Sequence, residues 1–145
     1  MPELIRSIVA RMRVYVGNRR RARRYRRSVP FNVSLFDPKL SREQLEHSPY
    51  LEGTTSDLSA SGLGLIVPAI RINDRYLTAP DQTLHLLLEF PSGQIEMRVA
   101  PVRYEQLERE GAPQGGYLIG VRIADMSDDA RTRFEEYLKA VTSDE

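Results

Sequence analysis

Gln82-Thr83-Leu84-His85-Leu86-Leu87-Leu88-Glu89-Phe90 alternates along its length. Successive side chains of an extended chain point to opposite sides. Leu84, Leu86, Leu88 and Phe90 therefore share one face, and Thr83, His85 and Glu89 share the other. That is the pattern of a strand with one buried face. Pro91-Ser92-Gly93 then turns the chain into a second extended stretch at about 94–104, and the two read as a hairpin.

Working outward from this hairpin, the same logic finds more strands. Tyr117 to Ile123 reads as one strand, and Val29 to Phe36 as another, ended by Asp37-Pro38. Residues 50–58 and 62–67 read as two strands around a tight turn at Ser59-Ala60-Ser61-Gly62. Residues 38–49 are a connector in which Ser41 to Glu46 can form one helical turn. Residues 68–80 read as a loop punctuated by Pro68, Asn73-Asp74 and Pro80. Residues 105–115 read as a polar loop. Near the C-terminus, Ser127 caps a helix whose first turn carries Asp128 and Asp129 against the helix dipole. Phe134, Tyr137, Leu138 and Val141 give that helix one apolar stripe. At the other end, Leu4, Ile5, Ile8, Val9, Met12 and Tyr15 predict a helix over 2–16, stopped by Gly17-Asn18. The fold expected is mainly β: a small antiparallel barrel of six strands with an N-terminal and a C-terminal helix.

A chain of 145 residues fits a single domain and buries roughly 68–70% of its unfolded surface. The organisation expected is an N-terminal extension over 1–18, a barrel domain over 19–141 entered through a basic arm at 19–28, and a tail at 142–145. With no cysteine, disulfides and thiolate zinc sites are excluded. No apolar run is long enough to span a bilayer, and Arg11 and Arg13 interrupt the apolar residues that a signal peptide would need. A cytoplasmic location is expected.

The net charge of +1 hides a division. Residues 1–30 carry ten arginines and one acid, a net of +9. Residues 31–145 carry eleven basic and nineteen acidic residues, a net of −8. A basic arm joined to an acidic body calls for an anionic partner, or for docking of the arm on the body. The arm's cations are all arginines, whose forked donors suit phosphate and base edges better than lysine does.

Two stretches carry the chemistry. The first is Arg19-Arg20-Arg21-Ala22-Arg23-Arg24-Tyr25-Arg26-Arg27. The second is Asp57-Leu58-Ser59-Ala60-Ser61-Gly62. In this order, with the barrel pattern between and after them, they resemble the two-part signature of the PilZ domain: Arg-x-x-x-Arg before the first strand, then Asp/Asn-x-Ser-x-x-Gly. Tyr117 to Ile123 resembles the last barrel strand of that family, and Met126-Ser127-Asp128-Asp129 its link to the C-terminal helix. The resemblance runs from about residue 19 to 141.

It implies a six-stranded split barrel and a non-enzymatic receptor for cyclic di-GMP. The ligand-binding residues implied are Arg23, Arg27, Asp57, Ser59 and Gly62, with Arg24, Arg26 and Ala60 as further candidates. Arg19/Arg23 and Arg20/Arg24 satisfy the same four-residue spacing. Arg23/Arg27 is preferred because Tyr25 then falls where the family has an aromatic residue or histidine. Ala22 stands where an arginine accompanies an intercalated ligand dimer, which favours one ligand molecule per domain. The chemistry is consistent: forked arginines suit phosphate and the guanine O6/N7 edge, Asp57 can accept from guanine N1–H and N2–H₂, and Gly62 permits close backbone approach. The family's arm is mobile when empty and folds over the barrel around the ligand, which changes the surface offered to a protein partner. The outputs implied are motility, biofilm or exopolysaccharide control.

Other readings of the same residues stand beside this one. An arginine run alone is a solvated arm for any polyanion, and an Asp-x-Ser turn alone is a turn. Gly64 reads as a plain turn or bulge glycine. His47 and His85 stand apart with no ligand spacing, so no metal is expected. No catalytic signature is present, and no cofactor is expected. The helix over 2–16 suits packing, with a membrane surface as the minor alternative. An arginine-arm nucleic-acid module predicts steep salt dependence, but the body is acidic, so no specific nucleic acid is expected. A PilZ-like protein-contact domain without ligand is the third reading.

Overall fold

The computed structural model describes residues 23–107 and 116–143. The helix expected over 2–16 and the arginines before Arg23 lie outside the described residues. The elements are β1 (Pro30–Leu35), α1 (Arg42–Glu46), β2 (Leu51–Leu58), β3 (Gly62–Val67), β4 (Arg71–Ile72), β5 (Arg75–Tyr76), β6 (Leu84–Phe90), β7 (Gly93–Gln106), β8 (Tyr117–Asp125) and α2 (Asp128–Ser143).

Six strands close into one antiparallel barrel in the order β1-β2-β3-β8-β7-β6. The hairpin read from the sequence is β6–β7, paired from Leu84↔Val99 to Phe90↔Gly93. β1 joins the ring from both sides, pairing with β2 through Pro30↔Thr54 and with β6 through Phe31↔Leu88. Leu84, Leu86, Leu88 and Phe90 point inward and are buried, as their alternation requires. They meet Val33, Leu65, Ile95, Met97, Val99 and Ile119, all fully or almost fully buried.

α2 follows directly from β8 and closes the end of the barrel at which β6 turns into β7. Ser127 caps it through its Oγ, which accepts from the Ala130 amide at 3.1 Å. Phe134 stands edge-on to Phe90 at 6.0 Å between ring centroids, and Tyr137 does so at 4.5 Å. Leu138 and Val141 complete the buried stripe. The helix runs through Ser143, into the stretch read as a tail. α1 is the expected single turn, started by a reciprocal capping box between Ser41 and Gln44.

One part of the loop expected at 68–80 is ordered differently. β4 and β5 form a two-stranded hairpin, with Arg71↔Tyr76 and Ile72↔Arg75 in register. Its turn places Asn73 at φ 56°, a conformation asparagine tolerates. The hairpin buries Ile72 and the adjoining Leu77, and that burial is what the turn residues alone did not reveal.

Candidate ligand-binding site

The arm and the Asp-x-Ser-x-x-Gly turn, separate in sequence, meet at one end of β2. Tyr25 and Leu58 exchange two backbone hydrogen bonds of 2.9 Å. The Tyr25 side chain joins the core at 8% exposure. Thr55, itself buried, clamps the base of the arm. Its Oγ1 accepts from the Val29 amide at 2.8 Å and donates to the Arg27 carbonyl at 2.5 Å. Its own amide donates to the Val29 carbonyl at 3.0 Å.

Because Tyr25 points inward, its neighbours point outward. Arg24 donates to Oδ2 of Asp57 in a half-buried ion pair. The other oxygen, Oδ1, accepts from the Ser56 hydroxyl at 3.0 Å. The structure thus puts Arg24 on Asp57, where the sequence favoured Arg23 and Arg27 for the ligand. Arg23 and Arg26 are exposed on the arm. Arg27 is half-buried and donates to the Arg26 carbonyl at 2.8 Å.

Ser59 is fully buried. Its Oγ accepts from the Gly62 amide at 3.0 Å and donates to the Gly62 carbonyl at 3.1 Å. The Ser59 amide donates to that same carbonyl at 2.9 Å. The hydroxyl is therefore committed to closing the turn, and Ala60 is the exposed residue at its tip. Ser61 fastens the turn to β8 by accepting from the Ile123 amide at 2.9 Å. Gly62 is buried and pairs with Arg122 of β8.

Asp57 reaches the outer surface through a bulge. Thr55 points inward opposite Leu65, and two residues later Asp57 would point inward as well. The register shifts between Thr55 and Asp57, so Asp57 instead lies opposite Gly64 on the outer face. There its carboxylate rests over a glycine. A Cβ on Gly64 would stand 2.3 Å from Asp57 Oδ1 and 2.3 Å from Ser56 Oγ. Gly64 is thus required by the Asp57 side chain, a correction to its reading as a plain glycine. The signal that finds it is the cross-strand register, which a single sequence does not display.

Elsewhere, a trough of about 810 Å³ runs between α1, α2 and the outer faces of β1, β6 and β7. Its cations are already matched. Arg98 pairs with Asp125 at 3.0 Å, and Arg133 lies 3.5 Å from Asp129. His85 is shielded in this trough, 3.3 Å from Glu96. Neither motif reaches it. Among the described residues, no group of three or more His, Cys, Asp or Glu side chains could hold a metal ion, and no helix is long and apolar enough to cross a membrane.

The family model described as the PilZ domain matches residues 18–140. The chain belongs to the PilZ family. The PilZ fold recurs in solved structures of low identity. The structure described as the PilZ domain with c-di-GMP of YcgR from Escherichia coli superposes with a TM-score of 0.60 at 12% identity, covering 87% of this chain and 93% of that one. The Bacillus subtilis inhibitor of motility MotI/DgrA gives 0.59 at 12% identity, covering 88% of this chain. MrkH, described as a c-di-GMP-dependent transcription regulatory factor, gives 0.61 at 15% identity with the same coverage. This chain spans about half the length of the last two, 52% in each case. No curated protein sequence is a significant match to the chain.

Proposed function

We propose that this PilZ domain is a non-enzymatic receptor for cyclic di-GMP and that it signals through its arm. One observation carries the reading. Tyr25 seats the arm on β2, so that Arg24 of the arginine run pairs with the Asp57 carboxylate of the second stretch. An anionic guanine nucleotide needs both: forked cations for phosphate and for guanine O6/N7, and an acceptor for N1–H and N2–H₂. Membership of the family, and the c-di-GMP named with the YcgR PilZ domain, support the same ligand.

Among the described residues, Arg23 and Arg26 are the exposed cations of the arm, and Arg27 needs only to release the Arg26 carbonyl. These are the groups that turn toward the ligand. Asp57 receives the guanine edge, while Ser59 and Gly62 hold the turn that aims it. Ligand binding repositions the arm relative to β2 and changes the surface around it, which a protein partner then reads. Cytoplasmic placement and control of motility, biofilm or exopolysaccharide belong to this reading.

Calorimetric titration of cyclic di-GMP, with GTP and cyclic di-AMP as controls, tests it. Saturable, guanine-selective heat is expected, with one ligand molecule per domain. An equal response to every anion would leave a basic arm without a receptor.

A further inference from the structure

We propose that Arg103 belongs to the same site and reads the O6/N7 edge of the guanine whose other edge faces Asp57. This deepens the receptor reading and rests on it. Neither half of the motif contains Arg103. What assigns it is a row of four residues across the outer face of the barrel. Asp57 on β2 lies opposite Gly64 on β3, Gly64 opposite Gly120 on β8, and Gly120 opposite Arg103 on β7.

The two ends of this row are built alike. On β7, Val99 points inward and is fully buried, and Pro101 follows opposite Val121, which is also buried. Continued alternation would turn Arg103 inward too. The register shifts between Pro101 and Arg103, and that bulge delivers Arg103 to the outer face. The bulge between Thr55 and Asp57 does the same for the carboxylate. Bulges re-aim side chains beside functional sites. Here two of them, on strands that do not touch each other, place opposite charges on one row.

Between the charges stand two positions without a Cβ. A Cβ on Gly120 would meet Arg103 Cγ and Nε at 2.9 Å, just as one on Gly64 would meet Asp57 Oδ1 at 2.3 Å. Each charged side chain therefore lies inward along the row, over its glycine. The two Cα positions are three strand spacings apart, roughly 14 Å. Both side chains stand on the outer face, outside the core beneath. A purine laid over Gly64 and Gly120 then has a carboxylate on one side and a guanidinium on the other. Guanine matches both, with donors at N1 and N2 and acceptors at O6 and N7. Adenine matches neither pair, because its N1 faces the carboxylate with a lone pair and its N6 amino group faces the fork. The row thus accounts for selection of guanine.

The test is calorimetric titration of the full chain with cyclic di-GMP and with its 7-deaza analogue, which lacks the N7 acceptor. Arg103→Gln is expected to bind cyclic di-GMP about 10- to 100-fold more weakly than wild type. Arg103→Lys, which keeps the charge and loses the fork, is expected to weaken it comparably. Wild type should discriminate against the 7-deaza analogue, and Arg103→Gln should bind both ligands alike. Binding by Arg103→Gln within twofold of wild type would overturn the proposal. So would equal discrimination against the analogue by both proteins, which would place N7 on another arginine. Loss of all cyclic di-GMP binding by wild type would bring down the receptor reading and this inference with it, a result distinct from the other two.

Discussion

Arg24 and Asp57, 33 residues apart, form an ion pair on the outside of the barrel, with 22% and 18% of their side chains exposed. The pair joins the halves of the motif directly. It also occupies an oxygen that the proposed ligand needs, while Ser56 occupies the other. Arg24 Nε is buried and, among the described residues, makes no hydrogen bond. Among the described residues the guanidinium is thus held through Nη1, a contact that a competing guanine edge can displace.

Asp57→Ala is expected to abolish cyclic di-GMP binding and to leave the barrel folded. Its stability cost comes from stranding Arg24, about 1–2 kcal/mol for a half-buried donor left without its charged partner. Arg24→Ala added to Asp57→Ala should cost less than the sum of the single changes, giving a coupling of about 1 kcal/mol in a double-mutant cycle. Urea unfolding of the four proteins measures it. Strict additivity would show that the ion pair contributes nothing in solution.

Thr55→Val keeps the shape of a buried side chain and removes the clamp at the base of the arm. The Val29 amide loses its acceptor and the Arg27 carbonyl loses its donor. About 1–3 kcal/mol of stability should go with them, and the arm should open more often than the barrel unfolds. Limited trypsin digestion reads this out: cleavage after Arg23 to Arg27 should accelerate well before cleavage within the strands. Unchanged cleavage of the arm would mean that Tyr25 and its two bonds to Leu58 suffice to hold it.

Gly64→Ala separates the site from the fold. The new Cβ would strike the ends of two surface side chains, Asp57 and Ser56, and these can move. Stability should change by less than about 1 kcal/mol, since alanine also suits a strand better than glycine. The displaced carboxylate should lose its aim at the ligand, and with it about 10- to 100-fold in affinity, the equivalent of one charged hydrogen bond. Thermal melting and calorimetry on the same sample decide between a site effect and a folding effect.

The hairpin, the turn and the C-terminal helix were legible because each is written in local periodicity or in a cap. Leu84 to Phe90 alternates as it folds, and Phe134 to Val141 buries the stripe its spacing announces. The six-stranded ring followed from counting such segments. What the chain did not display locally was the register between strands. A one-residue bulge reverses every outward and inward assignment beyond it, so neither the exposure of Asp57 nor that of Arg103 could be read from alternation. The same limit explains Arg24. The spacing of the arginines allows several pairs, and the choice made on the barrel depends on Tyr25 being buried against Leu58.

Ser59→Ala tests what the serine of the motif does. The Oγ of Ser59 is fully buried within the turn and bonds both polar groups of Gly62. Its removal leaves the Gly62 amide, also buried, without an acceptor, at about 1–3 kcal/mol. For a domain of this size that lowers the melting temperature by roughly 3–9 °C. Affinity for cyclic di-GMP should fall less than tenfold at temperatures where the variant is folded, because the turn is loosened while Asp57 and the arginines remain. The opposite pattern, an unchanged melting temperature with binding abolished as in Asp57→Ala, would show that the hydroxyl leaves the turn to contact the ligand.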